Sequence, residues 1–153
     1  MTIIPHAMVG AALGRLFFRK RYLAFLAGIT SHILLDAVPH WDYLTVKAGT
    51  INTALAVTGI AFFALRFKDP YLFWGGTGAM IPDLEVAAKA LGLSNYPLYF
   101  PTHSGAIPHV QVSPWWGIPV QALLSLACIL LIFKNEKLGL ARKRTKSQSA
   151  LLR

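Results

Sequence analysis

Residues 115–133 read WWGIPVQALLSLACILLIF, nineteen in a row without a charge. As a helix rising 1.5 Å per residue, that run is ~28 Å long, close to the ~30 Å hydrocarbon core of a bilayer. The Trp115–Trp116 pair at its start suits the membrane–water interface, where amphipathic rings settle. A second run, Ala48 to Leu65, holds eighteen uncharged residues and closes on Arg66 and Lys68. Two such segments point to an integral membrane protein.

The composition agrees. Of 153 residues, 55 % are hydrophobic and 14 % charged, and the mean hydropathy is +0.51. Soluble domains carry about 25 % charged residues, so an ordinary water-facing globule and a disordered chain are both excluded, and the length suits one domain. The formal charge of +9 sits in short blocks between apolar runs. That is the pattern of topology anchors rather than of a phosphate-binding stripe, and no nucleic-acid partner is expected. Cys128 is the sole cysteine and lies within the longest apolar run, which leaves no disulfide framework or thiolate cluster.

Three weaker apolar stretches complete the pattern. Tyr22–Leu35 runs into Asp36, Tyr71–Pro82 runs into Asp83, and Thr2–Phe18 is broken only by His6 and Arg15. A cleaved signal peptide is not expected at the start, because Arg19, Lys20 and Arg21 follow the apolar stretch instead of preceding it. Gly10 and Gly14, four apart, give this first helix a close-packing face. The expected fold is an all-α polytopic membrane bundle with about five spans, some short or kinked, and an outer loop before the last. The helices are placed at about 3–18, 22–39, 49–66, 71–90 and 115–133, forming a membrane domain over 1–133. A basic cytoplasmic tail, loosely ordered, follows over 134–153.

Charge counting sets the orientation. With loops 19–21 and 66–68 and the tail on one side, thirteen of the fifteen basic residues fall there and only Lys47 and Lys89 fall opposite. The positive-inside rule then makes that side cytoplasmic and puts the N-terminus outside, as in a bacterial-type inner membrane protein.

Under this topology all five histidines and four of the six acids lie in the outer half. His32, Asp36 and His40 recur at i, i+4 and i+8, one face of a continuous helix, while Pro39 marks a kink or end that swings His40 and Asp42 into an outer cap. Asp83 and Glu85 lie in the outer half of the fourth helix, His6 near the outer end of the first, and His103 and His109 in the outer loop. Helical rise puts His6, His32, Asp36 and Asp83 at overlapping heights of roughly 15–21 Å. A carboxylate at that depth needs a partner, and apart from Lys89 at the rim the outer half offers no cation. The histidines and a divalent metal remain. Imidazole with carboxylate suits zinc, with manganese or iron as alternatives, and His6, His32, Asp36, His40, Asp83 and His103 are the candidate ligands. Glu85 or Asp42 is the candidate proton acceptor, and His109 the candidate proton donor to a leaving group.

Four short motifs accompany these residues: His6-Ala-Met-Val-Gly10, Ser31-His32-Ile-Leu-Leu-Asp36, Gly78-Ala-Met-Ile-Pro82-Asp83 and Thr102-His103-Ser104. Together they resemble the family of predicted membrane-bound metal-dependent hydrolases that includes the LexA-regulated inner-membrane members. The stretch before Thr102 reads Leu98-Tyr99-Phe100-Pro101 where that family usually has His-Arg-Gly, and the Ser-His-x-x-x-Asp segment precedes the Pro-Asp segment. The resemblance implies a metal-dependent hydrolase, with His6, His32, Asp36, Asp83 and His103 as its functional positions. A site facing the outer leaflet would meet lipid or lipid-linked phosphoesters. The alternatives are a non-enzymatic protein that binds or translocates divalent metal, and an accessory subunit whose polar cluster is structural.

Overall fold

A computed structural model of the chain describes residues 1–42, 45–108 and 110–151, with the backbone alone described from 136 onward. Among the described residues the regular structure is helical: α1 (Ile3–Phe17), α2 (Arg21–Asp36), α3 (Val46–Phe67), α4 (Pro70–Ala90) and α5 (Pro114–Leu151). One isolated bridge joins His40 to Gln111.

Local chemistry sets the helix ends. Lys68 closes α3 in the left-handed conformation, with φ at 50°. Asp69 then accepts hydrogen bonds from the Tyr71 and Leu72 amides and Pro70 supplies the first residue of α4, a favourable cap followed by a favourable start. Thr45 caps α3 by accepting from the Ala48 amide at 3.2 Å. The second helix stops at Asp36, three residues short of the expectation, because Pro39 disfavours helical backbone at Val38. The last helix runs on to Leu151 instead of yielding to a loose tail after Phe133. Beyond that point lie mainly Lys, Arg, Leu, Ala and Gln, good helix formers, with no proline.

Helices α1, α2 and α4 are in backbone contact. A Cβ added at Gly75 would stand 2.1 Å from the Gly10 carbonyl oxygen, and one at Gly78 would stand 2.1 Å from that of Phe25. Only glycine permits approach this close, the small-residue packing of membrane helices. Gly14 lies against Tyr71, and Gly10 against Gly75 and Ala79, so α1 runs antiparallel to α4. Phe25 meets Gly78 and His32 meets Ala79, so α2 rises alongside α4 and their C-terminal halves share a level. An apolar core of Ala7, Ala11, Ile60, Leu72, Cys128 and Ile132 ties α3 and α5 to this trio.

Two helices, α3 and the Pro114–Asn135 part of α5, are long and apolar enough to cross a membrane. Within their most apolar windows only 11 % and 22 % of residues are buried by the rest of the chain. Leu55, Phe62, Leu65, Leu123 and Leu130 are among the large side chains left outside. Contiguous apolar surface of this kind marks a membrane or protein interface.

Candidate metal centre

Asp36 stands at the centre of the polar cluster. His6 Nε2 is 3.0 Å from its Oδ1, and His32 Nε2 is 3.1 Å from its Oδ2. His103 Nε2 lies 3.5 Å from Oδ2, and His40 Nε2 lies 3.7 Å from Oδ1. Asp83 Oδ1 completes the arrangement at 3.9 Å from His32 Nε2 and 3.8 Å from His103 Nε2. His6, His32, His40 and Asp36 are almost wholly buried, whereas the Asp83 side chain keeps 25 % of its surface exposed.

The remote nitrogen of three imidazoles is fixed. His32 Nδ1 donates to the Ala79 carbonyl at 2.8 Å, His40 Nδ1 to the Val38 carbonyl at 2.7 Å, and His103 Nδ1 to Glu85 Oε1 at 3.0 Å. Each of these acceptors lacks a proton of its own, so the ring proton of neutral imidazole belongs on Nδ1 and the Nε2 lone pair points inward. Orientation of a histidine by a carbonyl or carboxylate behind it is characteristic of metal ligands.

The inward face is then short of positive charge. His32 Nε2 and Asp83 Oδ2 are buried without a hydrogen-bond partner; although Asp36 Oδ2 is near His32 Nε2, their geometry is not that of a hydrogen bond. A lone pair facing a carboxylate oxygen at 3.1 Å is repulsive unless a proton or a metal cation lies between them. Four atoms form the box: His32 Nε2, Asp36 Oδ2, Asp83 Oδ1 and His103 Nε2. Its four nitrogen–oxygen edges, 3.1, 3.5, 3.8 and 3.9 Å, bracket the ~3.4 Å edge of a tetrahedron around an ion with ligands at ~2.0–2.2 Å. The donor set of two imidazoles and two carboxylates fits zinc, iron or manganese.

The remaining expected residues surround this box. His6 and His40 gather on the opposite oxygen, Oδ1, of Asp36. The α-amino group of Met1 joins them, 2.8 Å from Oδ1 and hydrogen-bonded to His40 Nε2. Asp42 lies on this same side, with Oδ2 4.0 Å from that amino group. Glu85 has both oxygens engaged: Oε2 accepts from the Tyr99 amide at 2.8 Å, and Oε1 accepts from the Phe100 amide at 3.0 Å as well as from His103. That places it behind the ligand shell and gives it the loop as well as the ring to hold. His109 lies outside the described residues.

His103 titrates above the ordinary histidine range. Burial alone would lower it, but the surrounding carboxylates of Asp36, Asp83 and Glu85 outweigh burial. Three features were not read from the sequence. The Ala79 carbonyl sits one turn before Asp83 on the same face of α4, a spacing that identifies it in retrospect. Thr102 is buried with an unpartnered hydroxyl next to His103, and only its place in the Thr-His-Ser triplet hinted at it. The Gln121 side chain accepts from the Thr2 amide and hydroxyl and donates to the Trp41 carbonyl, pinning α5 to the start of α1; a lone glutamine in an apolar span was its one sequence signal.

Comparison with family models, with curated proteins and with solved structures finds no match for this chain.

Proposed function

We propose that this is a multi-pass membrane hydrolase using one divalent cation held by His32, Asp36, Asp83 and His103. The observation that carries the reading is the convergence of two Nε2 lone pairs, both with the ring proton held on the far side, upon two carboxylates. Within that convergence His32 Nε2 and Asp83 Oδ2 are buried without a hydrogen-bond partner. A five-span arrangement in a bacterial-type inner membrane, N-terminus outside and tail cytoplasmic, fits the distribution of basic residues and puts the cluster on the outer side. It also agrees with the hydrolase family that the four motifs resemble.

The substrate class suited to the site is a lipid or lipid-linked phosphoester. A cation in the box supplies positive charge that polarises a phosphoryl oxygen and acidifies a nearby water. The protein's own part follows from the geometry. Asp83, with Oδ1 in the box and Oδ2 unpartnered, is the group placed to take the proton of the attacking water, so the sequence-based assignment of that role to Glu85 or Asp42 moves to Asp83. His6 holds Asp36 by its far oxygen, and Glu85 holds His103. As the water oxygen bonds to phosphorus, the P–O bond of a phosphomonoester breaks and the departing oxygen takes the proton that Asp83 received, leaving inorganic phosphate and the lipid alcohol. Metal translocation is the weaker reading: on the far side of the cluster α1, α2 and α4 close backbone against backbone, and a conduit there would need space between them.

The test uses the purified full chain in detergent. Metal analysis should find about one zinc, iron or manganese per chain, and His32→Ala and Asp83→Ala should lose it while remaining helical. Release of phosphate from a lipid phosphoester should vanish with a chelator and with either variant. Two folded variants that hold as much metal as the parent would overturn the ligand assignment, and metal uptake by proteoliposomes without hydrolysis would favour transport.

A further inference from the structure

At the end of the bundle remote from the carboxylates, a groove of about 580 Å³ opens between α3 and α4. Arg21 on its rim starts the helix that Asp36 ends, ~22 Å along the axis at 1.5 Å per residue. The groove is therefore separate from the candidate metal centre and does not depend on that reading. Its walls include Ala61, Leu65, Phe73 and Trp74, and Arg21 and Lys68 stand at its mouth. The volume falls within the ~300–1,000 Å³ of small-molecule sites.

The charges at this mouth are unbalanced. Arg21 and Lys68 are exposed and make no ion pair or side-chain hydrogen bond among the described residues. Asp69, the acid nearest them, is already engaged: Oδ2 takes Arg15 at 3.2 Å, and Oδ1 takes the Tyr71 and Leu72 amides. Arg19, Lys20 and Arg66 lie within two residues of the pair in sequence and add to the positive potential. Below this charged rim the α3 wall consists of Leu65, Ala64 and Ala61, reaching about 10 Å from Lys68, with Phe73 and Trp74 partly exposed across from it.

We infer that this groove binds an anionic glycerophospholipid, its phosphate between Arg21 and Lys68 and the first part of an acyl chain against Ala61, Leu65, Phe73 and Trp74. Charge complementarity selects the anion. The apolar wall continuous with the two cations selects a lipid over a free anion, which would use the rim alone. Basic side chains beside a span and aromatic rings at headgroup level are the means by which membrane proteins hold such lipids.

Native mass spectrometry of the purified full chain, supplied with phosphatidylglycerol, phosphatidylcholine or inorganic phosphate, tests this. The parent should retain phosphatidylglycerol at least tenfold better than phosphatidylcholine. The Arg21→Gln/Lys68→Gln double variant should lose about tenfold of that retention, and Lys47→Gln/Lys89→Gln, at the opposite ends of α3 and α4, should lose none. Ala61→Trp, which fills the wall and leaves the charges, should also reduce it. Equal retention by the parent and the folded double variant overturns the inference. So does equal retention of the two lipids by the parent, and so does displacement of phosphatidylglycerol by millimolar inorganic phosphate, which would mark a free-anion site. The last two measurements need only the parent and decide the matter even if a variant fails to fold.

Discussion

The Glu85 carboxylate and the His103 imidazole act as one unit, joined at 3.0 Å through Nδ1 while the same carboxylate takes the amides of Tyr99 and Phe100. A side chain on α4 thus fixes both the loop that carries His103 and the rotation of its ring. Loss of an orienting partner behind a metal ligand typically weakens the metal about 10–100-fold. Glu85→Ala should fall in that range and also free the loop to proteolysis. Glu85→Gln keeps an acceptor oxygen and should sit at the lower end. Competition titration with a chromogenic chelator measures both.

Metal retention should depend on pH with a definite sign. A ligating imidazole must be neutral, and the carboxylates around His103 favour its protonated form to higher pH than usual. Affinity should therefore be full on the alkaline side and fall as pH drops through the raised His103 value. Removing the Glu85 charge with Glu85→Gln should move that midpoint to lower pH. A dialysis series at stepped pH, followed by metal analysis of parent and variant, reads the shift; a midpoint unmoved by Glu85→Gln would argue against it.

Gly75→Ala should destabilise the bundle. The new methyl would stand 2.1 Å from the Gly10 carbonyl oxygen, and since backbone lies on both sides, relief requires helices to separate. Overpacking of this kind costs about 1–3 kcal/mol. Gly59→Ala is the control, since its added methyl meets only the Met8 side chain at 3.8 Å. Thermal unfolding of the two variants in detergent should separate them clearly.

Asp69 has two duties that substitution can divide. It caps α4, and it pairs with Arg15, whose guanidinium is buried and also lies 4.4 Å over the Phe67 ring. Asp69→Asn preserves much of the cap and removes the charge; Asp69→Ala removes both. Loss of an N-cap costs about 1 kcal/mol, and breaking a buried pair costs up to about 3–5 kcal/mol. The alanine variant should be less stable than the asparagine variant by about the cap alone, measured by denaturant unfolding.

What the sequence made legible was the set of helices and the level of the polar residues on them. Runs of eighteen and nineteen uncharged residues identified α3 and α5, and helical rise put His6, His32, Asp36 and Asp83 at one height. The i, i+4 spacing of His32 and Asp36 corresponds to a contact of 3.1 Å. The rest depended on interactions between distant segments. Pro39 marked the break that carries His40 past the end of α2, but the pairing of its backbone with Val110 and Val112 that holds it there left no mark in the sequence. Glu85 looked free because its partners are mostly backbone amides, and amides carry no mark in a sequence. The full reach of α5 was hidden for a different reason: its second half is polar, and polarity reads as a loose tail although most of its residues are good helix formers.

The backbone contacts among α1, α2 and α4 have a further consequence. With almost no side-chain bulk between them, these three helices have little room to rotate or slide, and Asp36 and Asp83 ride on that stiff frame at a fixed separation. The segment that brings His103 to them is held separately, by the grip of Glu85 on His103 and on the Tyr99 and Phe100 amides. The frame and the loop are thus two separately held parts, and a substitution that loosens the loop need not part the helices.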